Sequence, residues 1–202
     1  ASDGSNVLLW AREPEVAESI NDRHENIIYL PGIALSDGIE ATADIAQLGP
    51  CPVALVVAPA QFLRSVILDL PKTGQDLVLC TKGIEQRSGR FMHEIAEEAH
   101  GGGGGIAVVS GPTFAHEVAR GMPTAVTLAS ADAALAQRLA SLIARPSFRP
   151  YVSTDVAGAE IGGAVKNVLA IACGVVEGAG LGQNARAALI ARGRARAARF
   201  TW

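Results

Sequence analysis

Two lysines stand where an amine has chemistry to do. Lys166 lies within EIGGAVKNVLAIACGVVEGAGLGQNARAALI (160–190). There Val165, Val168, Leu169, Ala172 and Val176 recur at helical spacing and form one apolar stripe. Lys166 stands beside that stripe, ringed by the small residues Gly162, Gly163, Ala170 and Cys173. Small neighbours leave room for an amine to meet a bound molecule. Glycine inside a helix costs about 1 kcal/mol relative to alanine, so Gly162 and Gly163 predict close approach by another group. A lysine so placed can donate or take up a proton. The competing reading is a lysine that snorkels along a tightly packed helix pair. Lys82 ends a second apolar stretch, LVLCT (77–81), and is followed by Gly83.

The elements that must position these lysines alternate. Asn6–Trp10 reads as a short strand, and Pro14 opens a helix ending near Ile20. Residues 25–40 carry Pro31-Gly32 and Asp37-Gly38 without helical period and read as mostly loop, and Thr42-Ala43-Asp44 starts a short helix. Val53–Ala58 is a continuous apolar run, the pattern of a strand buried on both faces; Pro59 stops it and a helix follows to about Leu70. Leu77–Thr81 is the next strand, then a helix over about Ser88–Ala99. The glycine run 101–105 precedes a strand rather than a helix, so it predicts a surface turn and no phosphate cradle. Strands at Ile106–Ser110, Thr124–Ala129 and Phe148–Ser153 are separated by helices at Phe114–Arg120 and Asp132–Ala144. Beyond Thr154 and Asp155, either of which can cap, the pattern is all-helical: Ala159–Glu177, then Asn184 onward.

This alternation predicts an α/β fold: a doubly wound, mostly parallel, Rossmann-type sheet over residues 1–153, followed over 154–202 by the start of an all-helical domain. Ligands of such sheets bind beyond the carboxyl ends of the strands. Three ends stand out: Pro59, Lys82-Gly83 and Gly111-Pro112-Thr113. Thr113 precedes a helix, so its hydroxyl is expected to cap.

The 202 residues are 49% hydrophobic and 18% charged with a net charge of −3, enough for a large core and without the basic excess of a nucleic-acid binder. Apolar runs such as Val53–Ala58 are too short to span a bilayer, so no transmembrane segment is expected. The N-terminus lacks the charged-then-apolar pattern of a signal peptide. Cys51, Cys80 and Cys173 have no CxxC spacing, and His24, His93, His100 and His116 no ligand spacing, so neither disulfides nor a metal are expected. These features predict a soluble cytoplasmic protein.

The segments LWAR (9–12), YLPGI (29–33), TKGIE (81–85), SGPTFAHEVARGMPTAV (110–126) and EIGGAVKNVLAIACGVVEGAGLGQNARAALIARG (160–193), in that order, resemble the bacterial-type NAD(P)-dependent glycerol-3-phosphate dehydrogenases. The likeness runs over nearly the whole chain and fades in RARAARFTW (194–202). It implies interconversion of dihydroxyacetone phosphate and sn-glycerol 3-phosphate with NAD or NADP, feeding glycerophospholipid synthesis. By the resemblance Lys166 is the catalytic lysine. Substrate meets Lys82, Gly111, Thr113, Lys166 and Asn167; cofactor meets Arg12, Tyr29, Pro59, Lys82 and Ala115. Arg12 leans toward tolerance of the 2′-phosphate of NADP. The family's first strand with its GxGxWG loop, and a later part that supplies an aspartate and a Ser-Arg-Asn segment, have no counterpart in these residues. The chain thus reads as a central fragment, with weakened dinucleotide affinity. A catalytically silent fragment, at most an interaction module, is the alternative. An unpaired sheet edge and the resemblance together lead to the expectation of a homodimer.

Overall fold

The computed structural model describes residues 4–101 and 103–197. Gly102 of the glycine run and the last five residues of the RARAARFTW tail lie outside the described residues.

Leu77, Val78 and Leu79 show why one sheet sits at the centre: three consecutive residues, none accessible to solvent, pointing alternately to opposite faces. They belong to β4 (Asp76–Leu79), which pairs in parallel with β3 (Val53–Val56) and β5 (Ile106–Ser110). On one face Leu77 and Leu79 join Val56 and Val108 against α2 (Leu63–Asp69) and α3 (Met92–His100). On the other, Val78, Ala107 and Val109 pack with α5 (Ala133–Ile143). Helices on both faces of a largely parallel sheet are the expected doubly wound architecture. β5 runs antiparallel to β6 (Thr124–Ala129), and β6 parallel to β7 (Phe148–Ser153), giving the order β3-β4-β5-β6-β7.

A second, two-stranded parallel sheet joins β1 (Val7–Trp10) to β2 (Ile39–Thr42), with α1 (Pro14–Arg23) packed on it. β2 was not expected, because residues 25–40 read as loop. Four residues of which only Ala41 and Thr42 are buried carry too short a pattern to stand out beside Asp37-Gly38. The helix expected to start at Thr42 is a 3-10 turn, Ile45–Leu48, capped by the Asp44 carboxylate. α3 begins at Met92 rather than near Ser88, since Gln86–Ser88 form a turn followed by Gly89 at φ +70°.

β3 is not buried on both faces. Its α2/α3 side carries the buried Val56, but Leu55 is 55% and the following Val57 73% exposed. β3 ends the five-stranded sheet; on its second face Val53 packs against the α5-side cluster, whereas Leu55 and Val57 stay exposed. Among the described residues β1 and β3 each pair on one edge only.

After β7 the chain becomes a helical hairpin: α6 (Val156–Gly178), capped by Asp155 accepting from the Gly158 amide, and α7 (Gly182–Ala197). α6 packs on β5, β6 and α7. By length and composition alone, with a mean hydropathy of 1.5, it is long and apolar enough to cross a bilayer, which the shorter runs did not reveal and which by itself is weak evidence of a span. It packs on the sheet and on α7 but leaves Val168, Ile171 and Val175 exposed. The short α4 (Ala115–Ala119) follows β5.

Candidate functional site

The loop after β4 carries Lys82 and is held on several sides. The Thr81 hydroxyl donates to the Ala58 carbonyl at 2.7 Å, tying the end of β4 to the end of β3. The Gln61 side chain grips both directions of the backbone: its Nε2 donates to the Ile84 carbonyl at 2.9 Å, and its Oε1 accepts from the Gln86 amide at 2.9 Å. Arg64 forks onto Glu85, with Nε to Oε1 at 2.9 Å and Nη2 to Oε2 at 3.1 Å, and reaches Glu98 at 3.2 Å. Ser88 adds a short hydroxyl bond to Glu85. These donors hold the Glu85 carboxyl down to about 2, the Arg64 guanidinium foremost and the Ser88 hydroxyl next. A bidentate guanidinium–carboxylate pair fixes direction as well as distance, so the loop is braced from α2. Composition and spacing did not single out Gln61 or Arg64; their only signal was the Glu85 of TKGIE, a charged residue that is buried and needs a partner.

α6 crosses this loop at Gly163. A Cβ there would lie 3.0 Å from Ser110 Oγ, at the end of β5, and 3.5 Å from Lys82 Cγ. So Gly163 is the close approach that the glycine pair predicted, and the Lys82 stem lies against it. Gly162 has nothing within 4 Å of its would-be Cβ and takes no part. Lys166 and Asn167 follow Gly163 by three and four residues, on the next turn of the same helix face. The Lys166 ammonium sits over the Phe114 ring, 5.1 Å from its centroid. The ends of β4 and β5 and the middle of α6 thereby bring Lys82, Gly111, Thr113, Ala115, Lys166 and Asn167 to one end of the sheet.

Several expectations change in detail. Lys166 is exposed rather than sunk among small residues. The stripe beside it omits Val168, which is 65% exposed; Val165, Leu169, Ala172 and Val176 are the half-buried ones. Thr113 does not cap: α4 begins after Phe114, with no side-chain cap bond. Gly111 has a structural reason to be glycine, since a Cβ would meet Val126 Cα at 3.0 Å and the Ala125 carbonyl at 3.1 Å across β6. Small size there lets the chain turn away close to the sheet.

The other residues lie at neighbouring strand ends. Arg12 follows β1 and is exposed. Tyr29 is 62% exposed, and its hydroxyl donates to Glu13 Oε1 at 3.3 Å. The Glu13 charge raises the Tyr29 phenol above its ordinary value. Pro59, exposed, follows β3 and precedes the 3-10 turn Ala60–Phe62. The β1–β2 pair and the five-stranded sheet do not hydrogen-bond to each other, and no described contact joins Arg12 or Tyr29 to the two lysines.

Comparison with known proteins bears on the fold and the family. The sequence profile of the NAD-dependent glycerol-3-phosphate dehydrogenase N-terminus matches residues 1–136, and that of the C-terminus residues 155–201. A glycerol-3-phosphate dehydrogenase [NAD(P)+] of Erythrobacter litoralis is 62% identical over 99% of this chain and 60% of its own length. That of Novosphingobium aromaticivorans is 59% identical over the same shares, 99% and 60%. The crystal structure of glycerol-3-phosphate dehydrogenase from Coxiella burnetii superposes with a TM-score of 0.87 at 35% identity, covering 98% of this chain and 62% of that one. The chain spans about three fifths of the length of the curated relatives it matches. Profiles covering most of its residues, relatives identical at more than half of the aligned positions, and a shared fold together make this chain a member of the NAD-dependent glycerol-3-phosphate dehydrogenase family.

Proposed function

We propose that the protein interconverts dihydroxyacetone phosphate and sn-glycerol 3-phosphate with NAD(P)H or NAD(P)+, in the cytoplasm, supplying glycerophospholipid synthesis. The observation that supports this is the seating of Gly163 of α6 on the Lys82 stem, with the Lys166 ammonium one turn further along α6 over Phe114, near the carboxyl ends of β4 and β5. Residues 1–153 form the cofactor-binding unit in this reading, and 154–202 begin the substrate and dimerisation unit of a homodimer.

Arg12, Tyr29, Pro59 and Ala115 fit a dinucleotide because each is exposed, the first three at a strand end or in a loop and Ala115 at the start of α4. Arg12 suits adenine stacking or a 2′-phosphate. The bound cofactor supplies the hydride. The protein's own groups do the rest. The Lys82 ammonium attracts the phosphorylated ketone, with Gly111 and Thr113 beside it. Lys166 gives a proton to the carbonyl oxygen as it becomes a hydroxyl, and takes that proton back in the reverse direction. Asn167, one residue on, orients substrate or lysine.

The test is NADPH oxidation by the purified chain on addition of dihydroxyacetone phosphate, compared with Lys166→Ala. Loss of a general acid lowers kcat by about 100- to 10,000-fold. A rate that is equal in the two proteins, or nil in both, ends the reading for this chain. Nil in both would support the second reading, a silent member of the family serving at most as an interaction module. The break between the β1–β2 pair and the main sheet favours that second reading.

A further inference from the structure

α3 begins at Met92 without a side-chain cap of its own: the residue before it is Phe91, and the Phe91 amide is satisfied by Glu94 at 2.8 Å. The amide of His93, in the first turn, donates to Glu160 Oε1 of α6 at 2.9 Å. The other oxygen of the same carboxylate, Oε2, meets His93 Nδ1 at 2.6 Å. The Glu160 side chain is 2% exposed and the His93 side chain 21%. One helix thus supplies the N-terminal cap of another, where the unsatisfied amides and the helix dipole favour a negative charge. A buried carboxylate held by two donors has one low-energy place, because leaving it costs an uncompensated charge.

Glu160, Gly163 and Lys166 are spaced by three residues each. At 100° per residue, each step moves about 60° round the helix. Glu160 faces α3, Gly163 faces Lys82 and Ser110, and Lys166 faces Phe114. A rotation of α6 at Glu160 is therefore carried to Lys166.

We propose that Glu160 and His93 are positioning residues for Lys166: their pairing sets the rotation of α6 and with it the place of the amine over Phe114. That the amine transfers a proton rests on the functional reading above; that this pair places it does not. The charges acting on His93 are Glu160 from α6 and Glu94 and Glu97 of its own helix; the hydrogen bond to Glu160 raises its pKa above the ordinary 6.5 against the opposing effect of burial. A raised folded-state pKa means that the clamp is fully present below 6.5 and weakens as pH climbs through the higher folded value.

The experiment is NMR of the chain with its lysines converted to 13C-dimethyl-lysine, the Lys166 signal assigned with Lys166→Arg. Over the Phe114 ring that signal is displaced by the ring current. The proposal expects the displacement to shrink in Glu160→Gln and in His93→Gln. In the wild-type chain it fades as pH climbs above 6.5 through the raised His93 titration. His93→Gln removes that pH dependence. In a chain that turns over, Glu160→Gln lowers kcat by up to about 100-fold, the scale of a misplaced catalytic group, and leaves KM near wild type because Lys82 is untouched. Should Glu160→Gln fail to fold, His93→Gln, at a partly exposed ring, decides alone. A Lys166 signal identical in wild type and folded variants at every pH overturns the proposal, whatever the turnover. The expected shifts in a chain without turnover uphold it and sink the dehydrogenase reading instead.

Discussion

Adjacent glycines in one helix allow the seating of α6 to be weighed. Gly162→Ala adds a methyl into open space, since nothing lies within 4 Å of the position. It should gain the full helix preference of alanine over glycine, about 1 kcal/mol. Gly163→Ala gains the same preference but sets its methyl 3.0 Å from Ser110 Oγ and 3.5 Å from Lys82 Cγ. The first distance is shorter than ordinary contact, so the helix, Ser110 or Lys82 must give by a few tenths of an ångström. Overpacking of this kind costs about 1 to 3 kcal/mol, which offsets or exceeds the gain. Between the two variants the stability gap is therefore about 1 to 3 kcal/mol, on two neighbouring residues with the same chemistry. In a chain of this size each 1 kcal/mol moves Tm by about 2 to 4 °C. Gly162→Ala should melt a few degrees above wild type, and Gly163→Ala at or below it. Urea titration with unchanged m-values would convert the shift to free energy. Equal stabilisation by both alanines would mean that α6 does not rest on Lys82 and Ser110, and the convergence of the two lysines would go with it.

Lys166→Met should lower kcat with little change in KM, whereas Lys82→Met should act mainly by raising KM for the phosphorylated substrate; steady-state kinetics separate the two. Arg64→Lys keeps the charge but loses the fork onto Glu85, so it should move KM in the direction of Lys82→Met; an unchanged KM would free Lys82 from its brace. Because the Glu85 carboxyl is depressed to about 2 from 4.5, its stabilising contribution is present above about pH 4.5 and is lost as pH falls toward 2. Glu85→Gln should flatten that part of the acid-denaturation curve followed by circular dichroism, and an unaltered curve would refute the pairing. The unpaired edges of β1 and β3, with Val57 73% exposed, should drive self-association; light scattering should show it, Val57→Lys should reduce it, and a monodisperse wild-type monomer would count against it.

The alternation of strands and helices was legible because its signals are local. β5, β6 and β7 span the expected residues, Ile106–Ser110, Thr124–Ala129 and Phe148–Ser153, since each is a run of apolar or β-branched residues bounded by turn formers. β2 was hidden because half its residues face outward and its partner, β1, lies some thirty residues earlier; only pairing makes IEAT a strand. The exposure of Leu55 and Val57 is likewise a property of what lies beside β3, which its own residues do not encode. At the site, Lys166, Lys82 and one of the two glycines could be picked from residue type and spacing. The residues that hold them could not. Arg64, Gln61 and His93 act through partners more than twenty residues away, and no periodicity links such pairs. Gly162 and Gly163 are indistinguishable in sequence and differ only in which way the helix turns them.

Packing alone gives no reason to set two lysines, Lys82 beside Gly163 and Lys166 one turn on over Phe114, at one end of the sheet. Like charges on one face repel, and a helix such as α6 could present an alanine at position 166 with better helix preference. Yet the loop bearing Lys82 is braced by Gln61, Arg64 and Thr81, and the helix bearing Lys166 is seated through Gly163 and fastened through Glu160. The braces come from different elements and converge on the same two cations. Such an arrangement becomes favourable when an anion lies between the amines, because each lysine then faces opposite charge and the rigidity that raised the repulsion now removes the cost of orienting them. Under the proposed function a small phosphorylated ketone would meet that condition, with its charged end toward Lys82 and its polarisable oxygen toward Lys166. A neutral ketone of the same size would satisfy only one of them.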